Sequence, residues 1–194
     1  KTPSERIARN LLEDAMYSVR DRKAAFIITT FSSHISRLKS VVDFGKKTGR
    51  QMVFLGRSLN KYVNAAIKVG QCPFKNQITL VKYRKQIEAM LKRIEHDRGR
   101  YLVVCTGHQG EPGSVLDRIS RDETALKLRE GDNVIFSSSV IPTPVNINAR
   151  DKMDKRLRKK GVRIQSDVHV SGHASREDLR DLLKILKPQH VIPA

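Results

Sequence analysis

The chain has 194 residues, 39% apolar and 30% charged, and its 38 lysines and arginines outnumber its 20 aspartates and glutamates by eighteen. That length gives one domain, or one and a fraction, with room for a real core, and the composition is that of a folded chain with a charged surface, not a disordered tail. No window approaches 18 consecutive apolar residues, which excludes a helical membrane span, and no signal-peptide pattern opens the sequence.

The sequence begins at Lys1 inside a helix-start pattern, so we expect it to be a piece of something longer. Thr2-Pro3-Ser4-Glu5 reads as a capping box with Pro at the first helical position. Ile7, Leu11, Ala15 and Val19 then share one face of a helix expected to end near Asp21. Ala24–Thr29 is a short apolar run, as in a buried parallel strand. A helix from about Ser33 turns Ile35, Leu38, Val41 and Val42 inward and ends by Gly45 or Gly49. The cycle repeats: strand Gln51–Leu55, helix Leu59–Val69, strand Gln77–Val81, helix Arg84–Glu95, strand Tyr101–Cys105. Then follow a strand over Asn133–Phe136, a helix over Asn146–Lys160 and an edge strand over Val162–Gln165. Last, Ser175 caps a helix with Asp178 three residues on and Leu179, Leu182, Leu183 and Leu186 as its stripe. Strands spaced by helices predict an α/β fold, a parallel sheet flanked by helices.

The segments after the strands carry the polar signal: Thr29–Ser33, Gly56-Arg57-Ser58, Thr106–Ser114, Ser137–Ser139 with Pro142-Thr143-Pro144, and His169–Ser175. Ligands of open α/β sheets bind outside the carboxyl ends of the strands. Gly, Ser and Thr there offer backbone N–H groups and hydroxyls, and several of these loops lead into helix N-termini that attract phosphate. One such turn is an ordinary loop; five on one edge predict a phosphate-binding rim. The Gly107–Gly113 loop lacks both the Lys-Ser/Thr of a P-loop and GxGxxG spacing, which argues against a kinase, an NTPase or a Rossmann-type nucleotide enzyme. Of six histidines, His34, His108, His169 and His173 fall on this edge, and His96 and His190 do not. His169 and His173 are four apart, yet the intervening Val-Ser-Gly has no Glu and breaks a helix, so a zinc-protease motif fails.

An excess of eighteen positive charges points to a polyanionic partner, against the plainer readings of a solubilising surface or a high-temperature composition. Charge is concentrated in Arg150–Lys160, net +5, and Lys82–Arg100, net +4. Each alone is a solvated helix face; together they suit a groove that tracks a nucleic-acid backbone. With no Trp and 5% aromatics, base stacking is occasional at most. Cys72 and Cys105 stand far apart without CxxC spacing, which argues against a disulfide framework or a Cys-based zinc site and suits a reducing, cytoplasmic setting.

At these strand ends the sequence resembles the β-CASP region of the ribonuclease J family, especially its archaeal form. The matching stretches are TPSE (2–5), TTFSSHISRL (29–38), LGRSL (55–59), CTGHQGEPGSVLDRI (105–119), GDNVIFSSSVIPTPVN (131–146), DVHVSGHASREDL (167–179) and LKPQHVIPA (186–194), in family order. The resemblance implies a β-CASP domain with its leading helix over 1–166, and over 167–194 a return segment into a metallo-β-lactamase domain. It implies an RNA phosphodiester hydrolase working 5′ to 3′ with two zinc ions in the full-length enzyme, on single-stranded, 5′-monophosphorylated RNA, with no membrane partner and room for a homodimer. His173 would be its motif B histidine, protonating a leaving oxygen or stabilising the phosphorane. His169, Ser171 and Gly172 would hold the 5′-monophosphate. Ser137, Ser138 and Ser139, with Gly107 and Gly110, would form further RNA-facing rim, and Arg37, Arg57 and Ser58 would contact the backbone.

The family's HxHxDH zinc motif is not in this sequence, and neither its motif A aspartate nor its motif C histidine is found. The chain alone is therefore expected to bind no zinc and to be inactive. Two other readings stay open: a stand-alone RNA-binding module without catalysis, and an endonucleolytic mRNA 3′-end cleavage factor of the same superfamily, which the CTGHQGEP block matches less well.

Overall fold

The computed structural model describes residues 3–166, 168–170 and 173–192. Six strands, β1 (Phe26–Thr29), β2 (Gln51–Leu55), β3 (Ile78–Val81), β4 (Tyr101–Cys105), β5 (Asn133–Phe136) and β6 (Arg163–Gln165), form one sheet in the order β3-β2-β4-β1-β5-β6. Every pairing is parallel, with Phe26 opposite Leu102 and Asn133, and Gln51 opposite Tyr101. Seven helices accompany it: α1 (Glu5–Tyr17), α2 (Ile35–Lys47), α3 (Arg57–Lys68), α4 (Arg84–His96), α5 (Val115–Ser120), α6 (Pro144–Lys159) and α7 (Arg176–Leu186). No helix among the described residues is long and apolar enough to cross a membrane.

The central strands are apolar runs because both faces of the sheet are covered. Phe26, Ile28, Phe54, Leu102 and Val104 pack with Leu12, Leu38, Val42, Leu59 and Val63 of α1, α2 and α3 on one side. Ile27, Val53, Leu55, Val103 and Phe136 pack with Ile87, Leu91, Leu116, Ile119, Met153 and Leu157 of α4, α5 and α6 on the other. Burying each large apolar side chain contributes about 1.5–3 kcal/mol. At the opposite, amino edge of the sheet, Asp132 joins two strands and a loop: its carboxylate accepts from Ala25 N–H at 2.7 Å, Arg98 Nη1 at 2.6 Å and Arg129 N–H at 2.9 Å. With Ala25 held by that carboxylate, the β1 ladder begins at Phe26, two residues later than the apolar run.

Three local expectations are corrected. In α1 the inward residues are Ala8, Leu12, Ala15 and Met16, while Ile7 and Leu11 are 45% and 40% exposed. Arg9 sets this rotation, reaching across to Asp43 at 3.1 Å and over the Phe44 ring of α2 at 4.6 Å. The N-cap of α1 is Ser4, without a side-chain cap bond, so Pro3 precedes the cap and Glu5 opens the helix. The six-residue α5 has no counterpart in the sequence pattern; Ser114 caps it by accepting the Asp117 N–H. The Ser175–Asp178 capping box of α7 is present as read, but the Leu179, Leu182, Leu183 and Leu186 stripe is exposed and joins neither core.

Candidate functional site

Because all strands run parallel, the loops after them gather on one edge. β1 leads into α2 on one face, whereas its neighbours β4 and β5 lead into α5 and α6 on the other, and such a divergence opens a crevice. Phe31 stands there. Its ring meets His108 edge-on with centroids 4.4 Å apart and lies 6.3 Å from the His169 ring.

Arg37, in the first turn of α2, is fully buried and frames this crevice. Its Nε and Nη2 donate to the Glu5 carboxylate at 2.7 and 2.8 Å. Its Nη1 donates to the Ser137 carbonyl at 3.0 Å, Ser137 Oγ at 2.8 Å and the Val168 carbonyl at 3.3 Å. Ser137 Oγ in turn donates to the Val168 carbonyl at 2.9 Å, and Thr30 Oγ1 to the Ser137 carbonyl at 2.8 Å. One guanidinium thus ties α1, α2, the β5 loop and the segment leading to His169. The forked geometry needs Arg; a lysine offers no planar pair of donors. Partial burial pushes the Glu5 carboxyl up, but the Arg37 hydrogen bonds and charge outweigh it, and its pKa lies below the usual carboxylate value.

Three imidazoles surround the clamp, each with its pKa below the ordinary histidine value. Burial is the main cause for all three; Arg37 adds to it at His34 and His169, and Arg150 at His108. Glu5, 3.7 Å from His34 Nε2, and Glu111, 3.6 Å from His108 Nδ1, pull the other way without prevailing. At neutral pH the rings are therefore neutral, each with one donor and one acceptor nitrogen. Thr29 Oγ1, Ser138 Oγ and His169 Nδ1 are buried here without a protein partner among the described residues. An unmet buried polar atom costs about 1–3 kcal/mol, so this strand end is polar beyond what the described residues satisfy.

Not every residue singled out from the sequence faces a ligand. Arg37 is the main correction: with no exposed surface and a guanidinium bonded inside the protein, it positions the rim and does not contact a backbone phosphate. Ser137 belongs to the same clamp. Gly107 and Gly110 are buried and shape their loop: a Cβ at Gly107 would lie 2.8 Å from Leu116 Cβ, and one at Gly110 2.6 Å from the Ala149–Arg150 backbone. Gln109, not singled out, locks that loop to the next by donating to the Ser139 carbonyl at 3.0 Å and accepting from Ile141 N–H at 2.7 Å. Ser138 and His169 stay at the crevice, Ser139 is exposed beside it, and His173 is exposed two residues before the α7 cap. Ser171 and Gly172 lie outside the described residues.

Arg57 and Ser58 are exposed farther along the edge, at the start of α3, and line a separate cleft with residues of the β3 and β4 loops. The basic run of α6 is less free than its charge indicates. Arg150 is buried, donating to the His108 carbonyl and Asp154; Arg156 pairs with Asp117, and Lys160 with Asp122. Phe31, the ring that organises the histidines, carried no signal in the sequence beyond its place after an apolar run.

Residues 23–153 match the family described as "Ribonuclease J, beta-CASP domain", and residues 161–194 match the "Zn-dependent metallo-hydrolase RNA specificity domain". The whole chain is 42% identical to ribonuclease J of Methanocaldococcus jannaschii, covering 44% of that protein. It is likewise 42% identical to ribonuclease J of Pyrococcus abyssi, covering 43% of it. Over 99% of the chain it is 33% identical to ribonuclease J of Sinorhizobium meliloti, covering 32% of that protein. The chain thus spans less than half the length of these curated relatives. A parallel sheet with its polar loops on one carboxyl edge, and a family match over most of its length, place this chain in the ribonuclease J family, as its β-CASP domain.

Proposed function

We propose that this chain is the RNA-holding half of a zinc-dependent ribonuclease that degrades single-stranded RNA from a 5′-monophosphorylated end. The observation that carries the reading is the crevice at β1, β4 and β5, where Thr29 Oγ1, Ser138 Oγ and His169 Nδ1 are buried and unmatched beside the segment that runs to His173. A terminal phosphate supplies both the acceptors and, when protonated, the donor that these atoms lack. Among the described residues no three His, Cys, Asp or Glu side chains are grouped to hold a metal ion. They do not fit a zinc site, and the two ions of the whole enzyme, a cytoplasmic homodimer in this reading, have their ligands elsewhere in it.

In this reading Ser171 donates its hydroxyl to the 5′-phosphate. His173 gives a proton to the 3′-oxygen as the phosphorus–oxygen bond breaks and water supplies the new oxygen on phosphorus. In the full-length enzyme His173→Ala should lower turnover of bound RNA by about 10²–10⁴-fold. Ser171→Ala should chiefly erase the preference for 5′-phosphate over 5′-hydroxyl ends, a cost of about 1.5–3 kcal/mol. Turnover and end preference on matched RNAs read both. Wild-type turnover in His173→Ala together with inactivity in Ser171→Ala would reverse these roles.

A further inference from the structure

The other half of the carboxyl edge, where β2, β3 and β4 end, holds a cleft of about 590 Å³. Arg57, Lys82, Arg84 and Arg118 line it, and Glu111 is its one carboxylate. Glu111 does not balance them. Its Oε2 accepts the Gln109 N–H at 3.0 Å and its Oε1 lies 3.6 Å from His108 Nδ1, so its charge is turned toward the Phe31 crevice. Arg118 is held from behind, 3.6 Å from Glu88 and donating to the Glu123 carbonyl, with its Nε buried and unmatched. Arg57 and Arg84 are exposed and make no hydrogen bond or ion pair among the described residues. With Arg118 paired to Glu88, the three cations Arg57, Lys82 and Arg84 have no ion-pair partner among the described residues; they repel one another, and an anion in the cleft relieves that repulsion.

Two further features narrow the anion. Helices α3 and α4 both start at this cleft, so the N–H groups of two first turns add to the positive field. Tyr83, 61% exposed, stands at its rim with Lys82 5.0 Å from its ring, a flat surface on which a base can stack. The volume exceeds what a bare phosphate fills and lies in the range of small-molecule sites. Gly56, at φ +139°, keeps the wall tight: a Cβ there would lie 2.7 Å from Thr106 Cγ2.

We propose that this cleft is a second nucleotide subsite, separated from the Phe31 crevice by the β4 loop, with Arg57 and Arg84 on the phosphate and Tyr83 under the base. The occupant is a nucleoside monophosphate unit, met either within an RNA strand or as free nucleotide; the first source rests on the RNA-holding reading above.

The test uses the chain, its Arg57→Gln/Arg84→Gln double variant and Tyr83→Ala. The probes are a 5′-phosphorylated ten-nucleotide RNA and a 5′-phosphorylated dinucleotide by fluorescence anisotropy, and AMP by amide chemical shifts. All three side chains are exposed, so unchanged urea midpoints verify the fold. The double variant should bind the longer RNA about tenfold more weakly, as expected when charge-assisted bonds are removed. Its salt slope should be shallower by about 0.7 for each phosphate that the arginines no longer neutralise. Dinucleotide binding should fall less than that of the longer RNA, Tyr83→Ala should weaken the longer RNA and reduce the AMP shifts, and AMP should shift the amides of residues 56–58 and 83–84. Wild-type affinity and slope in the double variant overturn the subsite while leaving the RNA reading intact. If the unaltered chain binds neither RNA, the RNA reading falls and AMP alone decides: shifts that depend on Arg57 and Arg84 support the cleft as a free-nucleotide site, and absent shifts overturn it.

Discussion

The two halves of the carboxyl edge use arginine in opposite ways. Beside β1 and β5, Arg37 is fully buried and bonded to Glu5, Ser137 and Val168, and the polar atoms left unmatched are hydroxyls and an imidazole nitrogen. Beside β2 and β3, Arg57 and Arg84 are exposed over an open cleft and make no hydrogen bond or ion pair among the described residues. The first half is a frame that holds loops at fixed positions; the second is an exposed surface with an excess of positive charge. A count of basic residues cannot separate these roles, because a buried guanidinium contributes order and an exposed one contributes field. The same distinction applies to α6, where Arg150 is buried and Arg156 and Lys160 are paired with Asp117 and Asp122.

The contrast breaks if the frame proves dispensable. Arg37→Ala removes one of two donors from each of the Ser137 and Val168 carbonyls and leaves the Glu5 carboxylate without its fork. It should destabilise the protein by about 3 kcal/mol, at the low end of the range for a broken buried pair because Glu5 keeps 37% of its side chain exposed. Arg37→Lys should recover only part. Urea unfolding measures both, and a loss below about 1 kcal/mol for the alanine variant would remove Arg37 from its framing role. Gly110→Ala comes next, at about 2 kcal/mol, because it combines a φ of +76° with backbone 2.6 Å from the new Cβ. A neutral outcome there would mean that α6 can move away from the loop.

The histidines sharpen the contrast by pH. His34, His108 and His169 have folded pKa values below that of an unfolded histidine, so the unfolded chain binds more protons as pH falls through about 6.5. Stability from these groups is full above that pH and declines below it. Glu5 and Asp43, held below the usual carboxylate value, add their loss only at more acidic pH. A urea midpoint constant between pH 8 and 5.5 would contradict neutral, partly buried imidazoles. Smallest of all, Arg57→Gln should change stability by no more than about 0.5 kcal/mol, as an exposed side chain outside the frame.

Much of the fold was legible because short apolar runs such as QMVFL and YLVVC announce strands covered on both faces, and Gly49, Gly131 and Gly161 mark turns by their positive φ. The edge was legible too, since Gly, Ser and Thr follow nearly every strand. What escaped depends on contacts between distant residues. Nothing near Arg37 in sequence tells that its partner is Glu5, 32 positions away, or that Ser137 receives it. The rotation of α1 escaped because two adjacent stripes are apolar and contacts to distant residues, Arg9 to Asp43 and Glu5 to Arg37 among them, choose between them. Gly107 and Gly110 read as part of an RNA-facing rim, whereas the close approach of α5 and α6 is what requires them. The role proposed for His173 rests on a motif, not on periodicity.

The central claim is that nucleic acid lies along the carboxyl edge of the sheet. Hydrogen–deuterium exchange of the chain, with and without a saturating 5′-phosphorylated single-stranded RNA, tests it most directly. The account predicts slowed exchange in residues 29–34, 137–141 and 168–173, together with 56–58 and 82–84, and little change elsewhere. Protection confined to the basic face of α6, around residues 150–160, with the carboxyl edge exchanging as before, would contradict it.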